Sequence, residues 1–179
     1  MNTQDAEAVG PAVTLGLLAA WTLHDTEEVA MVPRWCREHV PELRKRIPQV
    51  PDRVWDRLET IDGREFATAV ALVGAVVAGA AVEGQRTGGR SGFYQSALNG
   101  FGLHGLAHIA QAVAVRGYTP GVATSPTLVI PFTLWARSRL RKAGVLRGAR
   151  ARDAVTSLAF AAVVTGASHG LARRLVRRG

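Results

Sequence analysis

The sequence predicts an all-α fold, a polytopic transmembrane helical bundle of about five membrane-spanning helices, organised as one integral membrane domain over residues 1–179. Three observations predict it. Runs without Asp, Glu, Lys or Arg recur at 8–23, 66–82, 91–115, 118–136 and 154–172, each close to the roughly 20 residues a bilayer-crossing helix needs. Charge is concentrated in the connections, most plainly in 137–152, which holds seven basic residues and no acid. Glycine and proline punctuate the junctions, as in Gly88-Gly89 and Pro120-Gly121, where tight turns need them.

Residues 1–7 are polar and lack Lys and Arg, so no signal-peptide n-region is expected there. The first span is placed at 8–32, with Pro33 expected to stop its helix. Near its end stands His24-Asp25-Thr26-Glu27-Glu28. One charged side chain at a bilayer centre costs roughly 2.5 to 3.5 kcal/mol on insertion scales. Several in one turn therefore need a cation, a partner helix or the membrane surface. Helical spacing puts His24, Glu27 and Glu28 on one face and sends Asp25 and Thr26 elsewhere.

Residues 34–65 change character, with eight basic residues among seven acids and prolines at 41, 48 and 51. Trp35, Val40, Leu43, Ile47, Val54, Trp55, Leu58 and Ile61 give this polar segment an apolar side, fitted either to lie along lipid headgroups with the tryptophans as anchors or to form a solvated loop with helical turns. The second span, 66–83, is rich in Ala, Val and Gly, and small residues let helices approach closely in lipid. Glu83 closes it as a surface acid or a further ligand.

The third span, 91–115, carries Asn99, His104, His108 and Gln111. The last three lie at i, i+4 and i+7, one stripe of a helix, and two histidines at that spacing can grip one metal ion. Asn99 falls on another side of a regular helix. Gly100, Gly102 and Gly105 are expected to bend the helix and bring it in. After the turn Gly117–Gly121 comes a fourth span, 118–136, expected to kink at Pro126 and Pro131. The basic stretch 137–152 suits anionic headgroups. The fifth span, 154–172, bears His169, whose simplest role is a hydrogen bond to a backbone carbonyl, and a basic tail follows it. Loop counts of Lys and Arg, thirteen against nine, place the side of 34–65 in the cytoplasm, although the seven positives of 137–152 run against the rule.

Laid side by side, His24-Asp25-Thr26-Glu27-Glu28, then Asn99 with His104 and His108, then Tyr118-Thr119-Pro120-Gly121, resemble the HXXEE-domain family of small bacterial integral membrane proteins. The resemblance covers about residues 15–170. It implies a location in the bacterial plasma membrane and singles out His24, Glu27, Glu28, Asn99, His104 and His108, without implying a particular activity.

Imidazole nitrogens with carboxylate oxygens form a ligand set of intermediate hardness, suited to Zn, Fe or Mn. The expected metal ligands are His24, Glu27, Glu28, His104 and His108, with His169 as a possible complement; Glu27, Glu28 and Asn99 are the expected catalytic groups. The leading expectation is a metal-dependent membrane hydrolase or oxidoreductase acting on a small or lipid-soluble substrate. Its alternatives are a proton- or metal-translocating protein and a structural membrane subunit. The net charge of +8 is not arranged as a basic stripe with interleaved aromatics, so nucleic acid is not an expected partner. The single cysteine, Cys36, excludes an intramolecular disulfide and a CxxC metal site. No phosphate-binding loop, dinucleotide fingerprint or Ser-His-Asp order is present, so no nucleotide cofactor is expected.

Overall fold

A computed structural model of the chain describes residues 9–148 and 151–176. The expected start of the first span at residue 8, the polar residues 1–7 and the tail at 177–179 lie outside the described residues, as do most side chains of 151–160. Every described element is helical: α1 (Pro11–Thr14), α2 (Gly16–Arg46), α3 (Asp52–Glu59), α4 (Gly63–Arg86), α5 (Gly92–Val115), a π-helical segment (Ser125–Val129), α6 (Ile130–Lys142) and α7 (Ala151–Val176).

Local chemistry sets the ends. The Asp62 carboxylate accepts from the Arg64 and Glu65 backbone N–H groups at the start of α4, and Ser91 caps α5 by accepting from Tyr94 N–H. Both satisfy donors that the first helical turn leaves without intrahelical partners. Arg116 closes α5 in the left-handed region at φ 57°.

The helices run up and down. α4 descends against α2, with Gly63 beside Pro33 at one level and Gly74 beside Trp21 at the other. α5 runs with α2, pairing Phe101 and His104 with His24. α6 returns along α5, and there a Cβ on Gly102 would fall 2.7 Å from Thr133 and one on Gly105 2.7 Å from Val129. These glycines let two backbones approach; they do not break the helix, which is continuous from 92 to 115. α7 packs on α4 and α5.

Two apolar clusters result. One joins Val13, Leu17 and Ala20 to Tyr94, Leu98 and Phe101 and to Val129, Ala136 and Leu140. The other joins Cys36 and Val40 of α2 to Trp55 of α3. The functional turn of α2 lies between them.

Several expectations are corrected. Pro33 does not stop the helix, and α2 carries both Pro33 and Pro41 to end at Arg46. Each interior proline costs about 3 kcal/mol, and the helix runs on because doing so buries Cys36, Val40 and Trp55, which are 4%, 1% and 5% exposed. Trp55 is consequently core, and the apolar side of 34–65 turns toward the protein. At 118–136 the helix starts late: Pro126 lies in the first turn of the π-helical segment, which runs directly into α6, and Pro131 follows that junction, where the change of hydrogen-bond register accommodates a missing N–H. α6 then runs to Lys142, past Arg137, Arg139 and Arg141.

Among the described residues one helix, α4, is long and apolar enough to cross a membrane. α2 is interrupted by the acids of its central turn, and α6 has only 13 residues.

Candidate metal centre

The central turn of α2 and the middle of α5 face each other. His24, Glu28, His104 and His108 each present a ligand atom, and all four atoms lie within 4.8 Å of one another. Nε2 of His104 and Nε2 of His108 are 2.9 Å apart. Glu28 reaches both, Oε1 lying 3.2 Å from His108 Nε2 and Oε2 3.7 Å from His104 Nε2. Ligands held at about 2.1 Å from one ion are separated by about 3 to 4 Å. Glu28, His104 and His108 have about that spacing already, at 2.9, 3.2 and 3.7 Å, while the group as a whole, within 4.8 Å, has to draw in slightly around an ion.

The His24 ring is fully buried. Its Nδ1 lies 2.7 Å from Thr124 Oγ1, and the Thr124 hydroxyl donates to Glu27 Oε2 at 2.7 Å. A hydroxyl has one proton. With that proton on the Glu27 bond, Thr124 Oγ1 accepts from His24 Nδ1–H, which fixes the tautomer and leaves a lone pair on Nε2. That Nε2 is buried and has no protein partner. A carboxylate, a hydroxyl and an imidazole thus form the kind of outer chain that orients metal-binding histidines.

Glu27 itself is elsewhere. Its oxygens accept from Tyr118 Oη at 2.8 Å, Thr124 N at 3.0 Å, Thr124 Oγ1 and Ala123 N, so it is not brought into the four-residue group. Adjacent glutamates on a helix point about 100° apart, and the two acids divide the work accordingly. Asn99 is not brought there either: it accepts from Arg137 and ties α5 to α6. His169 stands against Phe66 with ring centroids 5.8 Å apart and is not one of the four converging residues, although it lines the same cavity as Glu28. Glu83 is an exposed neighbour of Arg86.

The turn 118–121 builds the site's wall. Tyr118 donates to Glu27, while its carbonyl accepts from Trp35 Nε1 at 2.9 Å. Gly121 has φ 85°, and a Cβ there would fall 2.6 Å from His108 Nδ1 and Cε1. Only glycine leaves room for this ring. Sequence reasoning had marked the turn without assigning Tyr118 or Gly121 a role in the site, and it gave no part to Thr124.

It also missed Asp25. This side chain is 7% exposed, its Oδ2 has no partner, and it lines the same cavity as Glu28. The spacing signal was available, since Asp25 and Glu28 are three apart on one helix. Among the described residues no Lys or Arg forms an ion pair with either acid. Two buried carboxylates without a fixed cation are costly, and a divalent ion offsets that cost.

The cavity measures about 660 Å³ and is walled by α2, α3, α4, α5 and α7, mainly with apolar side chains. The group opens onto it at His104, whose side chain is 44% exposed against 6% for His108 and 12% for Glu28.

A helical bundle with a buried histidine and carboxylate group between two helices is the class that fold and site define. The sequence pattern of one family, described as "Protein of unknown function with HXXEE motif", matches residues 15–136, and the chain belongs to that family. No curated protein and no solved structure matches it.

Proposed function

We propose that the chain is an integral membrane protein in which His24, Glu28, His104 and His108 hold a divalent metal ion, and that the ion serves hydrolytic or oxidative chemistry on a small or lipid-soluble substrate. One observation carries the reading: four ligand atoms converge within 4.8 Å while a buried hydrogen-bond chain through Thr124 keeps the His24 Nε2 lone pair free. A bound divalent ion polarises substrate oxygens or lowers the pKa of water. Glu27 and Thr124 orient His24, and His104 marks the open side.

The membrane assignment rests on the five uncharged runs and on large apolar side chains left outside the bundle. Leu23, Leu106, Val113, Leu134 and Val163, on four helices, are each more than half exposed, and lipid solvates such groups without cost. The second cluster and α3 then form one end of the bundle.

A specific observation favours a second reading. Tyr118, Glu27, Thr124 and His24 form a continuous hydrogen-bonded series that ends beside His104 and His108, an arrangement suited to proton relay. Elemental analysis of detergent-purified protein separates the two. Near-stoichiometric metal supports the metal centre; metal-free protein that takes up protons in vesicles supports the relay. Metal identity adds detail, because four protein ligands saturate tetrahedral zinc but leave positions open on six-coordinate iron or manganese.

A further inference from the structure

We infer that the cavity is a binding site for one single-chain lipid, an apolar chain of up to about twenty carbons whose oxygen head group lies at the His104 side of the histidine and carboxylate group. The head's position rests on the metal reading above, whereas the chain's position does not.

Size and lining argue for it. A methylene group is about the size of a water molecule, which occupies roughly 30 Å³ in the liquid, so 660 Å³ accommodates about twenty. The wall follows α2 from Trp21 to Leu43, which at 1.5 Å per residue is about 33 Å of helix. The space is elongated. Val70, Val73 and Val77 of α4 and Phe101 of α5 line it, and a polar solute would leave these groups without favourable contact. A two-chain phospholipid carries more carbons than the volume holds.

Polar capacity is densest at one level. Asp25, Glu28, His104, His108 and Thr119 line the cavity together, and Asp25 Oδ2 and Thr119 Oγ1 are buried with no protein partner. An oxygen head group at His104 meets both a ligand site and unused hydrogen-bonding groups. Away from that level the lining is mainly apolar, with Val77 and Trp21 at one end and Leu43 and Trp55 at the other, and only Ser96, Gln111, Thr165 and His169 add polar side chains along it. A chain with one polar end fits this order.

The test uses a long-chain primary alcohol of about sixteen carbons bearing a mid-chain diazirine, photolysed with the full-length protein in detergent, and a diacyl phosphatidylcholine with the same label as comparison. Expected is saturable labelling by the alcohol that maps to Val70, Val73 and neighbouring wall residues. Val70→Trp and, independently, Val73→Phe should lower its apparent affinity tenfold or more while helix content stays that of the parent. Labelling confined to the outward Val82, Leu106 and Val163, or equal labelling of the wall by the phospholipid, overturns the proposal. Metal content is measured on the same samples. Metal-free protein that still takes the alcohol saturably removes the metal reading and keeps the chain site; metal-loaded protein that does not take it removes the chain site alone.

Discussion

Thr124 is the residue on which the geometry of His24 turns, because its single proton goes to Glu27 and its oxygen then accepts from the ring. Thr124→Val keeps the shape and removes the bridge. Outer partners of this kind are worth 10- to 100-fold in metal affinity, so competition titration against a chelator should show a loss of about that size, with Glu27→Gln weaker in effect because it keeps an acceptor oxygen. An unchanged affinity in Thr124→Val means His24 is not a ligand. Gly121→Ala puts a methyl group into the His108 ring and a side chain at positive φ, which alone costs about 1 to 2 kcal/mol. Thermal melting should record a destabilisation of at least that size together with weakened metal binding. Cys36 tests packing instead: it is 4% exposed, and burial pushes its thiol above the usual range. The reactive thiolate therefore appears at higher pH than in a free cysteine, and maleimide labelling of the folded protein should lag far behind that of the unfolded chain at neutral pH. The sequence displayed His24, Glu28, His104 and His108 plainly, since polar groups in apolar runs stand out. It could not divide Glu27 from Glu28, because which acid turns inward depends on where α5 and residues 121–124 lie, and that is set by packing.

At the scale of elements, α2 and α3 decide how the polar segment sits. Trp55 closes the second cluster against Cys36 and Val40, and Arg44 bridges to Asp52 and Asp56 at 2.8 Å each. Trp55→Ala should cost about 3 to 5 kcal/mol, whereas Arg44→Ala, whose pairs are largely solvent-exposed, should cost far less; denaturant melts of the two variants check the ranking. Pro41 is exposed inside α2. Pro41→Ala restores an N–H donor to the helix and should raise the melting temperature, by up to about 3 kcal/mol of stability. The caps at Asp62 and Ser91 and the turn at 117–121 follow from residue types visible in the sequence. The passage of α2 through two prolines does not, because a local helix-breaking signal was overruled by long-range burial against α3. The π-helical segment was hidden because residue types mark the prolines but not the change of hydrogen-bond register between them.

In the whole molecule, an all-helical bundle holds the histidine and carboxylate group between two apolar clusters, beside an elongated cavity. The helical class and the order of apolar runs were legible because composition and charge segregation report them directly. The cavity was not, since it arises from residues on five helices whose mutual placement no periodicity encodes. The claim at the centre is that Glu28 and its three histidines bind metal in the folded state. Ligand at one hundred times its dissociation constant adds about 2.7 kcal/mol to stability, and the direct test is thermal melting of parent, Glu28→Gln and His108→Asn, each with and without chelator. The account predicts that chelator lowers the parent's melting temperature by several degrees, that both variants melt near the chelated parent, and that chelator barely moves them. A parent that chelator shifts no more than the variants, with Glu28→Gln melting above it, would contradict the account and mark Glu28 as an unpaired buried acid.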